Sequence, residues 1–178
     1  MITLAAPVPI PGHWVLRVME RLQPSGATKW AETYQETSEA IAEASNADPL
    51  FEGPDGPMRT ASILLAIGLF ESKFNPRAID APQHAFGIYQ IEARTVPELT
   101  VNVLLVPREA SPVAIRLIRT SLKVCGNVGW SHKLSWYTSG GNGCRTQGNR
   151  TSAQRMFLAD KILRDYPLEM FPLLEGEK

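Results

Sequence analysis

The ten residues from Ala61 to Phe70, "ASILLAIGLF", carry no charge and run directly into Glu71. The run is too short to cross a membrane, which takes about 18 to 20 apolar residues. Upstream lies "NADPLFEGPDGP", where Pro49, Gly53, Pro54, Gly56 and Pro57 break regular structure, and downstream lies Asn75-Pro76. The pattern predicts a buried helix from Met58 to Phe74. Asn75-Pro76 is expected to stop it, because a residue before proline is pushed out of the helical region. A helix this apolar has no face to give to water, so the rest of the chain must surround it.

The surrounding segments are themselves mostly helical in pattern. "TKWAETYQETSEAIAEAS" is rich in helix formers, with Trp30, Tyr34 and Ile41 as an apolar stripe. "SPVAIRLIRTSLKVCG" opens on serine then proline, a favourable helix start, and ends at Gly126. "TSAQRMFLADKILRDY" reads as a closing amphipathic helix with Met156, Phe157, Leu163 and Tyr166 toward the core. Shorter helices are expected at Trp14 to Leu22, in "EARTVPELT" before the break at Pro97, and in "SHKLSWYTSGG" before a glycine-rich turn. Between Arg77 and Gln90 the chain is irregular, with a short strand or hairpin around Phe86 to Ile91. The expected fold is mainly α with long functional loops. A proline-bearing arm, residues 1–26, precedes a domain at 27–178.

With 178 residues, 44% of them apolar, the chain can bury a sizeable core as one domain. Its eighteen basic and eighteen acidic residues cancel. That balance argues against a nucleic-acid binder working by phosphate neutralisation and against a polybasic membrane binder. The N-terminal "MITLAAPVPIPGHW" lacks a basic region and is interrupted by prolines, so it does not read as a signal peptide. Cytosolic synthesis is the expectation, with release by lysis, delivery on a virus particle or removal of an export segment as routes outward. Cys125 and Cys144 fit either two separate buried thiols, the preferred reading, or a disulfide worth about 3 kcal/mol in an oxidising compartment. His13, His84 and His132, taken with these cysteines, match no zinc-ligand spacing.

Glu71 is the residue with a chemical signature. On a helix turning roughly 100° per residue, Leu64, Ile67 and Glu71 share one face, so the carboxylate continues an apolar stripe. Desolvation there raises its pKa, and the C-terminal end of the helix dipole acts in the same direction. A carboxyl that keeps its proton against an apolar wall is what a general acid for glycosidic cleavage requires. The alternative is an ordinary glutamate near a helix end, paired with Lys73 or Arg77.

Three blocks bear on that choice: "LLAIGLFESKFNPRAI", "GIYQI" and "LSWYTSGGNG". In order and spacing they resemble the sequence blocks of the lytic transglycosylase family, a branch of the lysozyme-like superfamily that also holds goose-type lysozymes. Glu71-Ser72 and Phe74-Asn75-Pro76-Arg77-Ala78 match the first block. Gly87-Ile88-Tyr89-Gln90-Ile91 matches the second, with tyrosine where the family has methionine. The third agrees in Tyr137 and Gly140, with Thr138 in place of asparagine. The motif-bearing core spans residues 58–166.

The resemblance implies a lysozyme-like helical domain with a short β hairpin or irregular segment at the cleft. It implies Glu71 as catalytic acid and then base, with Tyr137 hydrogen-bonded to it. Ser72 would orient the glutamate or the substrate. Gln90, with the Gly87 turn, would contact an N-acetyl sugar, and Tyr89 would offer a stacking surface. Trp130 is a further candidate sugar platform, whereas Trp136 is assigned to the core. The implied substrate is the peptidoglycan glycan strand, cut without metal or organic cofactor in the periplasm or cell wall. With one motif carboxylate, the implied product is a 1,6-anhydro sugar. A hydrolytic muramidase using Asp80 or Glu92 is the alternative chemistry. A non-catalytic wall-binding or structural module, partnered by a virus particle or secretion machine, is the alternative class.

Overall fold

The structure, a computed structural model, describes residues 5–29, 31–139, 144 and 150–172. It is mainly helical, with α1 (Gly12–Leu22), α2 (Pro24–Lys29), α3 (Ala31–Ala47), α4 (Gly56–Ser72), α5 (Val101–Leu104), α6 (Pro107–Val124), α7 (Ser135–Ser139) and α8 (Arg150–Asp165). Between α4 and α5 lies a small antiparallel sheet of β1 (Ile79–Asp80), β2 (Ala85–Phe86) and β3 (Ile91–Glu92), in that order.

Helix α4 is the centre. Its residues from Thr60 to Gly68 are all buried, and it packs against α1, α3, α6 and α8. Burying Ile63, Leu64, Leu65 and Ile67 contributes roughly 1.5–3 kcal/mol each. The two buried hydroxyls near its start are satisfied locally: Thr60 Oγ1 donates to the Gly56 carbonyl and accepts the Leu50 N–H, and Ser62 Oγ donates to the Arg59 carbonyl, all at 2.8 Å.

The helix ends earlier than Asn75-Pro76. Lys73 and Phe74 both take the left-handed conformation, φ 55° and 61°, and the Phe74 N–H closes back onto the Gly68 carbonyl at 3.1 Å. Left-handed backbone costs about 1–2 kcal/mol at a non-glycine residue. Full burial of the Phe74 ring, edge-on to Tyr34 at 6.1 Å, offsets it. Two other expectations shift as well. Helix α6 starts at Pro107, five residues before the proline expected to open it, so Pro112 lies inside the helix and faces solvent. On α8 the buried stripe is Ser152, Arg155, Met156, Ala159 and Ile162, while Phe157 points outward at 66% exposure.

Residues 1–26, set apart in the sequence as an arm, enter the same core from Ile10 onward. Asn46 clamps both backbone groups of Ile10 at 2.9 Å, and Trp14, Val15, Val18 and Met19 of α1 are fully buried. The Trp14 indole N–H donates to the Tyr166 carbonyl at 3.0 Å, and His13 Nε2 meets the Phe171 carbonyl at 2.8 Å. The two ends of the described chain are thereby joined. Trp30 and residues 140–143 of the glycine-rich turn lie outside the described residues.

Cys125 and Cys144 form a disulfide, replacing the expectation of two separate thiols. The bridge closes a loop with a sequence separation of 19 that contains α7. Loops of this length are stabilised by about 3 kcal/mol when cross-linked. Replacing both cysteines with serine, or reducing the bridge, is expected to lower the unfolding free energy by about that amount in urea titrations.

Candidate active site

The left-handed turn after α4 sets where Glu71 points, because it sends the chain back beside the helix end rather than onward. Ser72 secures the return. Its hydroxyl bonds to the Gly68 carbonyl at 3.2 Å and the Ile88 carbonyl at 2.8 Å. It is therefore a brace between α4 and the β2–β3 turn, and neither of these bonds goes to Glu71.

That turn is held from its other side by Gly87. At φ 75° it occupies backbone space that side chains rarely adopt, and a Cβ there would sit 1.8 Å from the Leu104 carbonyl oxygen. Its N–H donates to the Ala78 carbonyl at 2.8 Å. Gln90, also left-handed at φ 47°, donates its side-chain amide to the Ala78 and Gly87 carbonyls at 3.2 and 2.9 Å. Both bonds use the amide nitrogen, so the Gln90 carbonyl oxygen is not engaged by them, and the residue lines the adjoining cleft.

The cleft has a volume of about 570 Å³, within the usual range for ligand sites. Glu71 and Gln90 line it from one side, and Trp136, Tyr137, Thr138 and Ser139 of α7 from another. Asp80, Ala85 and Glu92 complete it from the sheet. Ala85 pairs with Asp80 on β1 and with Glu92 on β3, so these three stand in one row on one face. The two carboxylates are thus about 9.5 Å apart at the backbone, two strand spacings, with a methyl group between them. Glu92 is held by Arg94 at 2.5 Å.

Tyr137 lines the cleft as expected but does not bond to Glu71. Its hydroxyl donates to the Tyr89 carbonyl at 3.0 Å, and its N–H to Ser121 Oγ at 3.1 Å. Burial first, then the nearby charge of Glu71, push its pKa well above the ordinary 10.0, so it stays a neutral donor. Tyr89 is not a stacking surface. It is 1% exposed, with its hydroxyl paired to Ser111 Oγ at 2.8 Å in the core. Trp136 packs partly buried against the core, as assigned, while Trp130, the other tryptophan singled out, stays 38% exposed. Trp136 also lines the cleft, whereas Trp130 packs on Phe51 at 5.9 Å and points its indole N–H at both Asp160 oxygens, at 3.2 Å each.

Glu71 has one close partner the sequence reading missed. Arg155 Nη2 and Nε both donate to Glu71 Oε1, at 2.6 and 3.1 Å. The Glu71 side chain is 21% exposed and that of Arg155 only 7%. Desolvation dominates and raises the Glu71 pKa from the ordinary 4.5, against the lowering by Arg155. The available signal was an arginine on α8 followed at three- and four-residue spacing by the apolar Leu158 and Ala159. Long-range pairing across 84 residues gave no local clue to its partner.

A partly desolvated carboxyl beside a neutral phenol, an amide acceptor and two further carboxylates can deliver and retrieve a proton in a cleft open to a polymer. The family model for the transglycosylase SLT domain matches the chain over residues 51–158. No curated protein and no solved structure matches it.

Two substitutions test this geometry. Gly87→Ala is expected to cost about 3 kcal/mol in chemical denaturation, since it adds left-handed strain to an overlap with backbone. Tyr89→Phe is expected to cost about 1 kcal/mol of stability and to leave substrate KM within about twofold, because only a core hydrogen bond is lost.

Proposed function

The chain belongs to the transglycosylase SLT domain family, peptidoglycan-cleaving enzymes, and on that premise we propose that it cuts between N-acetylmuramic acid and N-acetylglucosamine with Glu71 as its one essential carboxyl group. The observation that carries this reading is the placement of Glu71 on the cleft wall with its side chain only 21% exposed, where burial raises its pKa even with a guanidinium beside it. A carboxyl that holds its proton toward neutral pH is a usable general acid.

In the proposed reaction Glu71 gives its proton to the glycosidic oxygen as the bond to the muramic acid C1 breaks. The substrate's own N-acetyl oxygen bonds to C1 and carries the developing positive charge. The Glu71 carboxylate then takes the proton of the 6-hydroxyl, whose oxygen displaces the acetyl oxygen at C1 and closes the 1,6-anhydro ring. The proton count balances, and no water is consumed. Gln90 offers its carbonyl oxygen to the N-acetyl N–H, and Trp136 offers an aromatic edge to a sugar ring. Such a substrate sets the site of action at the periplasm or cell wall.

One observation favours hydrolysis as a second reading. Asp80 and Glu92 flank Ala85 on the cleft side of the sheet, where a carboxylate can hold a water against the opposite face of a sugar.

Mass spectrometry of purified peptidoglycan digests separates the readings. The expected result is anhydro-muropeptides from the wild type, their loss in Glu71→Gln, and their retention in Asp80→Asn and Glu92→Gln. Reducing-end products that vanish with either sheet carboxylate would make the enzyme a muramidase. No products under conditions where a control enzyme works would point to a wall-binding or structural module. The acid form of Glu71 is the active one, so kcat/KM should fall as pH rises through its raised pKa. The upper limb of the pH profile is therefore expected above the ordinary carboxylate value of 4.5.

A further inference from the structure

The pair that Glu71 makes with α8 is lopsided. An arginine–carboxylate contact ordinarily spreads two N–H groups over two oxygens. Here Nη2 and Nε of Arg155 both converge on Oε1, and no described residue donates a hydrogen bond to Oε2. The remaining nitrogen, Nη1, is tied to the Thr151 carbonyl at 2.9 Å, and the guanidinium lies 5.2 Å from the centre of the Phe70 ring. Every nitrogen of the fork is therefore committed. Its donors cannot share Oε1 with a proton, because two N–H groups already point at that oxygen.

We propose that Arg155 is a positioning residue that selects Oε2 of Glu71 as the oxygen that gives and takes the proton, by occupying Oε1 through both steps of the reaction. This rests on the reading of Glu71 as the acid. Arg155 touches neither sugar nor reacting atoms and acts through the carboxylate it holds.

The geometry has a chemical logic. A glutamate at a helix end has free torsions and would present either oxygen, in several poses. Anchoring one oxygen leaves the other with a fixed direction, which is worth rate when two proton transfers must use one group. A buried ion pair is a poor source of net stability, so stability alone gives little account of a guanidinium kept at 7% exposure beside the cleft. The other charged or titratable groups around the cleft are Tyr137 from α7, neutral, Asp80 and Glu92 from the sheet, and Arg94 beside Glu92. Lys73 follows on the turn beyond α4 and is exposed. Among the described residues Arg155 is the cation in contact with Glu71.

The test measures the Glu71 carboxyl carbon by NMR titration in the whole protein, its signal assigned with Glu71→Gln, alongside steady-state turnover of purified peptidoglycan. Wild type, Arg155→Lys and Arg155→Met are compared, with thermal melts to verify folding. Arg155→Met removes a charge that favours the carboxylate, so the Glu71 titration midpoint and the upper limb of kcat should move up together. Its kcat should fall on the order of a hundredfold with KM within about threefold. Arg155→Lys keeps the charge and loses the fork, so its midpoint should stay close to wild type while kcat still falls. Should Arg155→Met not fold, the lysine variant carries the test, and wild-type turnover in it overturns the proposal. A folded methionine variant with an unmoved midpoint overturns it too, whether its activity is kept or lost. Full activity in Glu71→Gln would instead remove the reading of Glu71 as the acid, while the titration would still report the pairing.

Discussion

A helix with no polar face fixes the plan of this molecule. From Thr60 to Gly68 every residue of α4 is buried, so the helix is stable only when enclosed, and α1, α3, α6 and α8 are the enclosure. Helices α4 and α6 lie wholly inside the segment that matches the family model and α8 runs out of it beyond residue 158, whereas α1 and α3 lie outside it. The family portion thus depends on residues beyond its own pattern: Trp14, Val18, Tyr34 and Ile41 belong to the same core as Leu64 and Ile67. Enclosure also explains the site. The helix ends in a tight left-handed turn, and the first charged residue after its buried run is the glutamate just before that turn.

At that point two electrostatic effects oppose each other. Burial disfavours the charged carboxylate, and the Arg155 guanidinium favours it. Burial prevails, although a cation touches the group, because both partners are withdrawn from water and the guanidinium is itself more deeply buried. The sign follows for stability. A carboxyl whose folded pKa exceeds its unfolded value contributes most below the unfolded value, and that contribution is lost as pH rises toward the folded one. The acid that serves the reaction is in this sense carried at the expense of the fold near neutrality.

Much of this was legible in the sequence because the signals were local. An uncharged run between clusters of helix breakers yields α4, and the glutamate at its end stands out by residue type alone. Gly87 and Gln90 were legible as a turn for the same reason. What was hidden depended on distance or on competition between local signals. Pro112 reads as a helix start, yet Pro107 takes that role and Pro112 is tolerated on a solvent-facing position of α6. Phe157 reads as core by its chemistry, but the buried face of α8 runs through Arg155 and Met156 instead. Tyr89 stands in a motif that faces a cleft in the family, and here its hydroxyl is drawn inward by Ser111. None of these outcomes follows from periodicity alone, since each is decided by a competing local signal or by a partner elsewhere in the chain.

The small sheet carries a constraint of a different kind. Asp80, Ala85 and Glu92 share one face because β2 pairs with both neighbours in one particular register. Side chains alternate along a strand, so a slip of a single residue in either pairing would turn a carboxylate of this row, Asp80 on β1 or Glu92 on β3, to the other face of the sheet. The acidity of this wall is therefore encoded partly in the lengths of two four-residue turns, 81–84 and 87–90. Over evolution such a wall can be switched by an insertion or deletion in either turn, with both strand sequences left intact.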